Sequence, residues 1–422
     1  MQASTRLARN SVWMVLSRFA AQGLAVVFTV VLARRLGSAG FGEYAFIAAL
    51  IYVANSLTTF GTDMVLIRRI AAQDDLSPLP AALAVQLALS TLVILAAWGF
   101  GAHIPNQSPE TVLALRIYVL ALIPMAFFTV FSTALRGKQR MDAYAVLNLL
   151  IAALQAAVVL VRNLDLVTLS VFFLAVQVII ALAAAWMCSA AIPRFWAAWS
   201  LRMPALWPLA KACAPLALLT VLGMAYQRLG IYMLSTMGSS ADTGLFSAAA
   251  RTVEASKTVH LALFAALYPA MALARNQAVP GRDLSDGIRT SRNLLLAASA
   301  AGAAILFAFA RPVISLLYGS AYLASVPVLR VLAWTLVPFT LNSYLTLSFL
   351  ASNRELLVAR ALAASLLGLL VLNLWLIPAM GPTGGAWAAL TAECVQAVIL
   401  LLAAQAHATV KGAAHELPDL PG

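Results

Sequence analysis

The chain has 422 residues, of which 63% are hydrophobic and only 10% are charged. Soluble domains carry about 25% charged residues, so this composition excludes a soluble globular protein. The apolar runs are long and continuous, which favours membrane-spanning helices over a β-barrel. The net charge of +12 would suggest a nucleic-acid partner in a soluble protein. Here the basic residues lie mainly in short loops between apolar runs, so membrane topology explains them and we expect no nucleic acid.

The first element is a pair of apolar segments joined by one short polar hinge. The segments cover about 11–33 and 41–66, and the hinge is Arg34-Arg35-Leu36-Gly37-Ser38-Ala39-Gly40. Each segment contains the roughly 20 apolar residues that a ~30 Å hydrocarbon core requires. Arg18 lies inside the first segment, where a charge costs about 2.5–3.5 kcal/mol. This arginine therefore needs either a partner or a functional reason.

Further apolar runs continue to the end of the chain, and together they predict twelve spans. After the first two, they lie at about 79–101, 112–135, 143–161, 167–187, 205–236, 243–271, 290–310, 325–350, 355–377 and 383–406. Most of the 27 Lys and Arg residues fall on one side of this arrangement. The positive-inside rule then places the N-terminus in the cytoplasm, and an even number of spans returns the C-terminus there.

Two internal matches indicate that the chain is built from two similar halves. The segment 115–140 aligns without gaps with 329–354, pairing Pro124 with Pro338 and Arg140 with Arg354. A weaker match pairs Gly42-Glu43-Tyr44 with Gly244-Leu245-Phe246. Both matches set corresponding spans six apart, so the halves insert in the same orientation. We predict an all-α integral membrane protein with 12 transmembrane helices, in which six-helix bundles at 1–190 and 205–422 enclose a central cleft and a cytoplasmic linker covers 191–204.

Charged residues inside the predicted spans are the candidates for function, because they are costly in lipid. They are Arg18 in span 1, Arg228 in span 7, and Arg251, Glu254 and Lys257 in span 8. If spans 1, 2, 7 and 8 line the cleft, the cleft is cationic and suits an anionic substrate. Phosphate or pyrophosphate fits best, since arginine offers a fork of donors to its oxygens.

Each of these residues also has a plain structural explanation. Arg251 and Glu254 are three apart and can satisfy each other, whereas Arg18 and Arg228 can extend toward the two interfaces. Lys257 lies near the middle of its span and is harder to explain in this way. The cysteines and histidines have no metal-ligand spacing, and no hydrolase or P-loop motif occurs. We therefore expect no metal, no cofactor and no enzymatic activity.

Several motifs resemble those of bacterial polysaccharide flippases, a family of the multidrug/oligosaccharidyl-lipid/polysaccharide exporter superfamily. The motifs are Asn10-x-x-Trp13, the run from Leu32 to Tyr44, Gly61, Arg68-Arg69-Ile70-Ala71, the run from Gly244 to Ala249, Leu267-Tyr268-Pro269-Ala270 and the run from Pro312 to Tyr322. The resemblance extends over nearly the whole chain. The hinge and the Leu316-Leu317-Tyr318-Gly319 segment carry it most specifically.

This resemblance implies a V-shaped pair of six-helix bundles in the bacterial inner membrane. Such proteins move undecaprenyl-pyrophosphate-linked oligosaccharides from the cytoplasmic to the periplasmic leaflet by alternating access, beside membrane lipids and a glycan polymerase machinery. The family also implies ion coupling, for which Glu254 and Asp63 are the candidate carboxylates. Arg34 would belong to the periplasmic rim, either as an anion gate that adds to the substrate-binding arginines or as a helix-end anchor.

Two other functions remain open at this point. A drug or metabolite antiporter of the same superfamily would have the same architecture, but it would prefer cationic substrates and acidic cavity residues. A polytopic glycan-polymerising enzyme usually needs a sizeable external loop with reactive groups, and every predicted external loop here is short.

Overall fold

The computed structural model describes residues 2–161, 164–193, 195–199, 206–257, 282–350, 352 and 354–415. Part of the predicted linker and the Leu267-Tyr268-Pro269-Ala270 motif lie outside these ranges. Within them, all regular secondary structure is helical. The helices are α1 Gln2–Thr59, α2 Thr62–Gln73, α3 Leu79–Phe100, α4 Pro109–Tyr118, α5 Leu122–Gly137, α6 Met141–Ala156, α7 Leu166–Ala191, α8 Leu206–Met237, α9 240–257, α10 Arg282–Ala308, α11 Ala310–Tyr318, α12 Ser325–Ala333, α13 Leu336–Leu350 and α14 Glu355–His415.

Length and surface chemistry identify a multi-pass membrane protein. In the described ranges, eight helical segments are long and apolar enough to cross a bilayer. Their outer faces carry large apolar side chains that a soluble protein would bury. Among the most exposed are Leu95, Phe100, Leu182, Trp186 and Trp375. These faces are suited to contact with lipid.

α1 folds back on itself at the predicted hinge. Gly37 has φ 68° and ψ −179°, a conformation open to glycine but not to other residues, and helix continues on both sides of it. The rings of Phe28 and Tyr44 lie 6.2 Å apart. In a straight helix these two residues would be separated by about 24 Å. The first long helix is therefore a hairpin of two limbs, as the sequence predicts.

α14 is a second hairpin, and Gly381 lies at its bend with φ 57°. Near the bend, a Cβ on Gly384 would collide with the main-chain carbonyl of Leu376, eight residues earlier. Val358 and Leu400, which a straight helix would separate by about 63 Å, belong to the same core cluster. The bend lies in the gap predicted between the spans at 355–377 and 383–406.

The chain divides into two compact units. The first contains the residues up to Arg251 together with the short segment Leu317–Tyr322, and the second contains 252–316 and 323 onward. The core of the first unit is formed by apolar side chains of α2, α3, α5, α6, α7 and α8, with Leu66, Leu135 and Leu147 among its most buried members. In the second unit, α10 and α12 to α14 pack together, and a small core forms around Leu345, Phe349 and Leu400. The predicted division at 191–204 remains a prediction.

Four aromatic rings anchor the described part of the linker to the first unit. Phe195, Trp196 and Trp199 cluster around Phe131 of α5, with ring centroids 5.7–6.0 Å from it. The Trp196 indole donates a 2.8 Å hydrogen bond to Ser189 Oγ, while the residue is half exposed. Tryptophans of this kind, with one wet end and one apolar end, favour the membrane–water interface. The linker therefore follows the predicted cytoplasmic surface of the first unit.

A reciprocal glycine contact joins the two matched sequence segments. A Cβ on Gly42 would collide with the Ser240 carbonyl, and a Cβ on Gly244 would collide with the Ser38 carbonyl. Gly42 and Ser38 are each 202 residues before their counterparts, so each pair mirrors the other. A reciprocal contact is what a twofold relation between matched segments produces. It presses the second limb of α1 against the start of α9, backbone to backbone.

Candidate functional site

The second limb of α1 faces two of the predicted arginines. The Arg228 guanidinium of α8 lies 4.8 Å from the centroid of the Tyr52 ring, and Arg228 is buried. Tyr44, about two turns before Tyr52 on the same limb, lies within electrostatic reach of both Arg228 and Arg251. The glycine contact at Gly42 explains this proximity, because it removes the side chains that would keep α9 away from α1. We call Arg228, Arg251, Tyr44 and Tyr52 the arginine cluster.

The chemistry of the arginine cluster suits an oxyanion next to a flat apolar group. A guanidinium can stack on a ring and also donate in-plane N–H groups to oxygen acceptors. Tyr52 is 42% exposed, so part of its side chain is accessible beside the buried Arg228. The sequence analysis predicts Arg228 and Arg251, and in the structure both act electrostatically on Tyr44. Glu254 is half-buried three residues after Arg251 on α9.

Lys257, one and two-thirds turns beyond Arg251 on α9, lies in the second unit in a different setting. Its Nζ is 3.9 Å from Glu393 Oε1 and 4.4 Å from the centroid of the Phe339 ring. The other carboxylate oxygen of Glu393 accepts a 2.8 Å hydrogen bond from Asn342 Nδ2. That amide also donates to the Glu393 main-chain carbonyl at 3.0 Å. We call Lys257, Phe339, Asn342 and Glu393 the lysine cage.

Arg34 lies at the α1 hinge and belongs to neither the arginine cluster nor the lysine cage. Its Nε donates a 2.8 Å hydrogen bond to the carbonyl of Leu317, and Tyr322 donates one of 2.9 Å to the carbonyl of Ala33. The segment Leu317–Tyr322 thereby docks on the hinge, which explains why it belongs to the first unit. A cavity of about 320 Å³ opens beside Arg34 and Gly37 and is lined on its other side by Tyr318–Tyr322.

Asp63 has simpler surroundings than the two clusters. Asp63, in the first turn of α2, forms a 3.7 Å ion pair with Arg136 of α5, and both side chains are partly exposed. Arg136 also lies over the Tyr144 ring at 5.4 Å. Arg18 falls on α1, but its side chain is outside the described part of the structure.

Sequence reasoning did not select Tyr44, Tyr52, Phe339 or Asn342 as site residues, and it left the role of Glu393 undecided. The aromatic residues gave no signal, because aromatic side chains are common throughout apolar spans. Asn342 and Glu393 did give one, since polar groups in the middle of spans are costly. Their pairing over 51 residues of sequence was not readable from either residue alone.

The fold is that of transporters of the MOP superfamily. One solved structure, described as the lipid II flippase MurJ in its inward closed conformation, matches with a TM-score of 0.73 and 13% identity over 93% of this chain and 87% of that chain. An inward-facing multidrug resistance MATE family transporter matches with a TM-score of 0.73 and 16% identity, covering 92% and 94%. A MOP superfamily transporter from Pyrococcus furiosus, described by the reverse polarity of its binding pocket, matches with a TM-score of 0.64 and 15% identity. The match covers 95% of this chain and 95% of that chain.

The sequence identifies a narrower family than the fold does. Residues 7–274, more than half of the chain, match the model of a family described as polysaccharide biosynthesis protein. The chain therefore belongs to the polysaccharide biosynthesis protein family. No curated protein sequence matches it.

Proposed function

We propose that this protein is a flippase that moves undecaprenyl-pyrophosphate-linked oligosaccharide from the cytoplasmic to the periplasmic leaflet of a bacterial inner membrane by alternating access. The family supports a role in polysaccharide biosynthesis, and the fold is shared with proteins named as flippases and transporters. In this proposal the chain crosses the membrane twelve times in two six-helix bundles, with both termini in the cytoplasm. Each of the hairpins α1 and α14 supplies two spans.

The arginine cluster is the observation that carries this proposal. Two arginines near partly exposed Tyr52 and buried Tyr44 make this region cationic where charge is costly. Arg228 and Arg251 bind the pyrophosphate, and Arg18 and Lys257 contribute further cations from α1 and α9. Glu254, next to Arg251, and Asp63 remain the candidate carboxylates for ion coupling, and Arg34 remains a candidate anion-binding residue at the periplasmic rim.

Substitution of the cluster arginines tests the proposal. In a strain that requires the glycan, we expect Arg228→Gln and Arg251→Gln to lower export at least about tenfold, because each removes a charge-assisted hydrogen bond of roughly 1.5–3 kcal/mol. Arg116→Gln is the matched control, since Arg116 lies over the Trp98 ring in the same way but away from the cluster. Surface glycan is measured at equal membrane levels of each protein. Normal export by both cluster variants would refute the proposal.

A drug or metabolite antiporter is the second candidate, and the MATE match favours it. It would export cations, which the basic cluster repels. Efflux of a cationic dye from cells that express the wild type, abolished by Arg228→Gln, would establish this function. The expected result is no dye efflux above cells without the protein. A polytopic glycan-polymerising enzyme is a less favoured alternative, and glycan transfer by the purified protein would establish it.

A further inference from the structure

The ammonium group of Lys257 is surrounded by its cage but is not hydrogen-bonded to it. Its 3.9 Å separation from Glu393 Oε1 exceeds the 2.7–2.9 Å of a charge-assisted N–H···O bond. The Phe339 ring occupies a second side at 4.4 Å. In the part of the chain that the structure describes, the ammonium makes no hydrogen bond. Glu393 therefore offsets part of the ammonium charge, while the three N–H groups remain able to donate hydrogen bonds.

Glu393, in contrast, is fixed. It is buried, and Asn342 donates both to its side chain and to its main chain. A carboxylate held in this way cannot swing toward the lysine to close the remaining gap. The flexible lysine stem is the mobile partner, and the lysine side chain keeps 22% exposure against 10% for Glu393. The cage thus holds a cation near a fixed anion without letting the two form a full contact.

We infer that Glu393, Asn342 and Phe339 are positioning residues for Lys257, which binds and releases an anionic oxygen of the substrate's pyrophosphate. This inference rests on the proposed function and adds three residues to it. Phe339 and Glu393 lie on two sides of the ammonium and hold it in place. Because Glu393 offsets part of the positive charge, it also weakens the hold of Lys257 on the anion. A transporter needs such weakening, since a substrate bound too tightly is not released.

Two substitutions in the cage have opposite expected effects. Lys257→Met keeps the stem and removes the charge, so binding of a pyrophosphate lipid weakens about tenfold or more. Glu393→Gln keeps the shape and removes the opposing charge, so binding tightens about fivefold, while turnover falls because release slows. Damage to the fold would weaken binding in both variants. The opposite signs therefore separate a positioning role from a purely structural one.

The experiment measures binding of undecaprenyl pyrophosphate to the full-length protein in detergent, with undecaprenol as the uncharged probe, and glycan export in cells. Arg292→Met is the matched control, because Arg292 lies over the Tyr344 ring at 5.6 Å and, among the described residues, hydrogen-bonds to the amide oxygen of Asn293 rather than to a carboxylate. We expect it to bind as the wild type does. Phe339→Leu is a second cage variant that keeps every charge, and it should weaken binding by a few-fold.

The outcomes separate this inference from the proposed function. If the wild type binds undecaprenyl pyrophosphate more tightly than undecaprenol, but Lys257→Met or Glu393→Gln binds it unchanged, the cage has no positioning role and the inference is overturned. Weaker binding by Glu393→Gln also overturns it. If the wild type does not prefer the pyrophosphate and the arginine variants export normally, the proposed function itself fails. Opposite shifts in the two variants support the inference.

Discussion

At the scale of single residues, Asp63 has two competing roles: it either couples transport to an ion or forms an ordinary ion pair. Its carboxylate lies 3.7 Å from Arg136, at the start of α2, and neither side chain is buried. Partly exposed pairs of this kind contribute only about 0–1 kcal/mol to stability. A carboxylate that drives transport, in contrast, must change its protonation or ion occupancy in each cycle. The geometry of Asp63 favours the simpler role.

We therefore expect Asp63→Asn to retain glycan export to within about twofold and to lower stability by no more than ~1 kcal/mol. Surface glycan and the thermal unfolding midpoint of the purified protein are the measurements. Asp75→Asn, which alters the 3.6 Å pair with Arg69, is the control for a partly exposed ion pair away from Asp63. Complete loss of export by Asp63→Asn alone, at normal protein level and stability, would instead identify Asp63 as the coupling group.

Residue types were readable from the sequence, but most of their partners were not. The cost of a charge in an apolar run selects Arg228, Arg251 and Lys257 without any structure. Nothing in the run around Lys257 points to Glu393, which follows it by more than a hundred residues and meets it only in the folded second unit. Long-range contacts of this kind depend on how helices pack, which a single sequence does not specify.

At the scale of helices, the glycine contact between α1 and α9 is the close approach that places Tyr44 beside the arginines. Both hairpin bends lie where the sequence predicts a break between two spans. A glycine with positive φ lies at each bend, because glycine adopts this conformation without a steric cost. The contact of Gly42 with Ser240 was not predicted, although the internal match had paired Gly42 with Gly244. A sequence match shows that two segments hold equivalent positions in the two halves. The segments touch each other only if both also lie close to the axis that relates the halves.

Gly42→Ala should destabilise the protein strongly. Its Cβ would overlap the Ser240 carbonyl, and because that atom belongs to the backbone, a whole helix must shift. Overpacking of this kind costs about 1–3 kcal/mol, and here we expect the upper end. Gly302→Ala is the control, since nothing lies within 4 Å of its added Cβ inside α10. That change should be neutral or stabilise by up to about 1 kcal/mol. Equal unfolding midpoints for the two variants in detergent would show that the close approach is absent.

At the scale of the whole molecule, composition alone identified a helical membrane protein, because no soluble chain can cover so much apolar side chain with 10% charged residues. The outward-facing leucines and tryptophans agree with that prediction. The grouping of the chain was harder to foresee. Leu317–Tyr322 belongs to the first unit although its neighbours on both sides belong to the second. Two hydrogen bonds hold this segment on the hinge: Arg34 donates to the carbonyl of Leu317, and Tyr322 donates to the carbonyl of Ala33.

Orientation in the membrane follows from charge and is directly testable. If arginines such as Arg68 and Arg69 remain in the cytoplasm, the end of α2 is cytoplasmic and the turn after α3 is periplasmic. Ala72 and Ala102 are both exposed and lie at these two positions. In a background with Cys188, Cys213 and Cys394 replaced by alanine, we expect Ala102→Cys to react with a membrane-impermeant maleimide in intact spheroplasts. Ala72→Cys should react only after the inner membrane is permeabilised, and the reverse pattern would invert the topology and, with it, the proposed direction of transport.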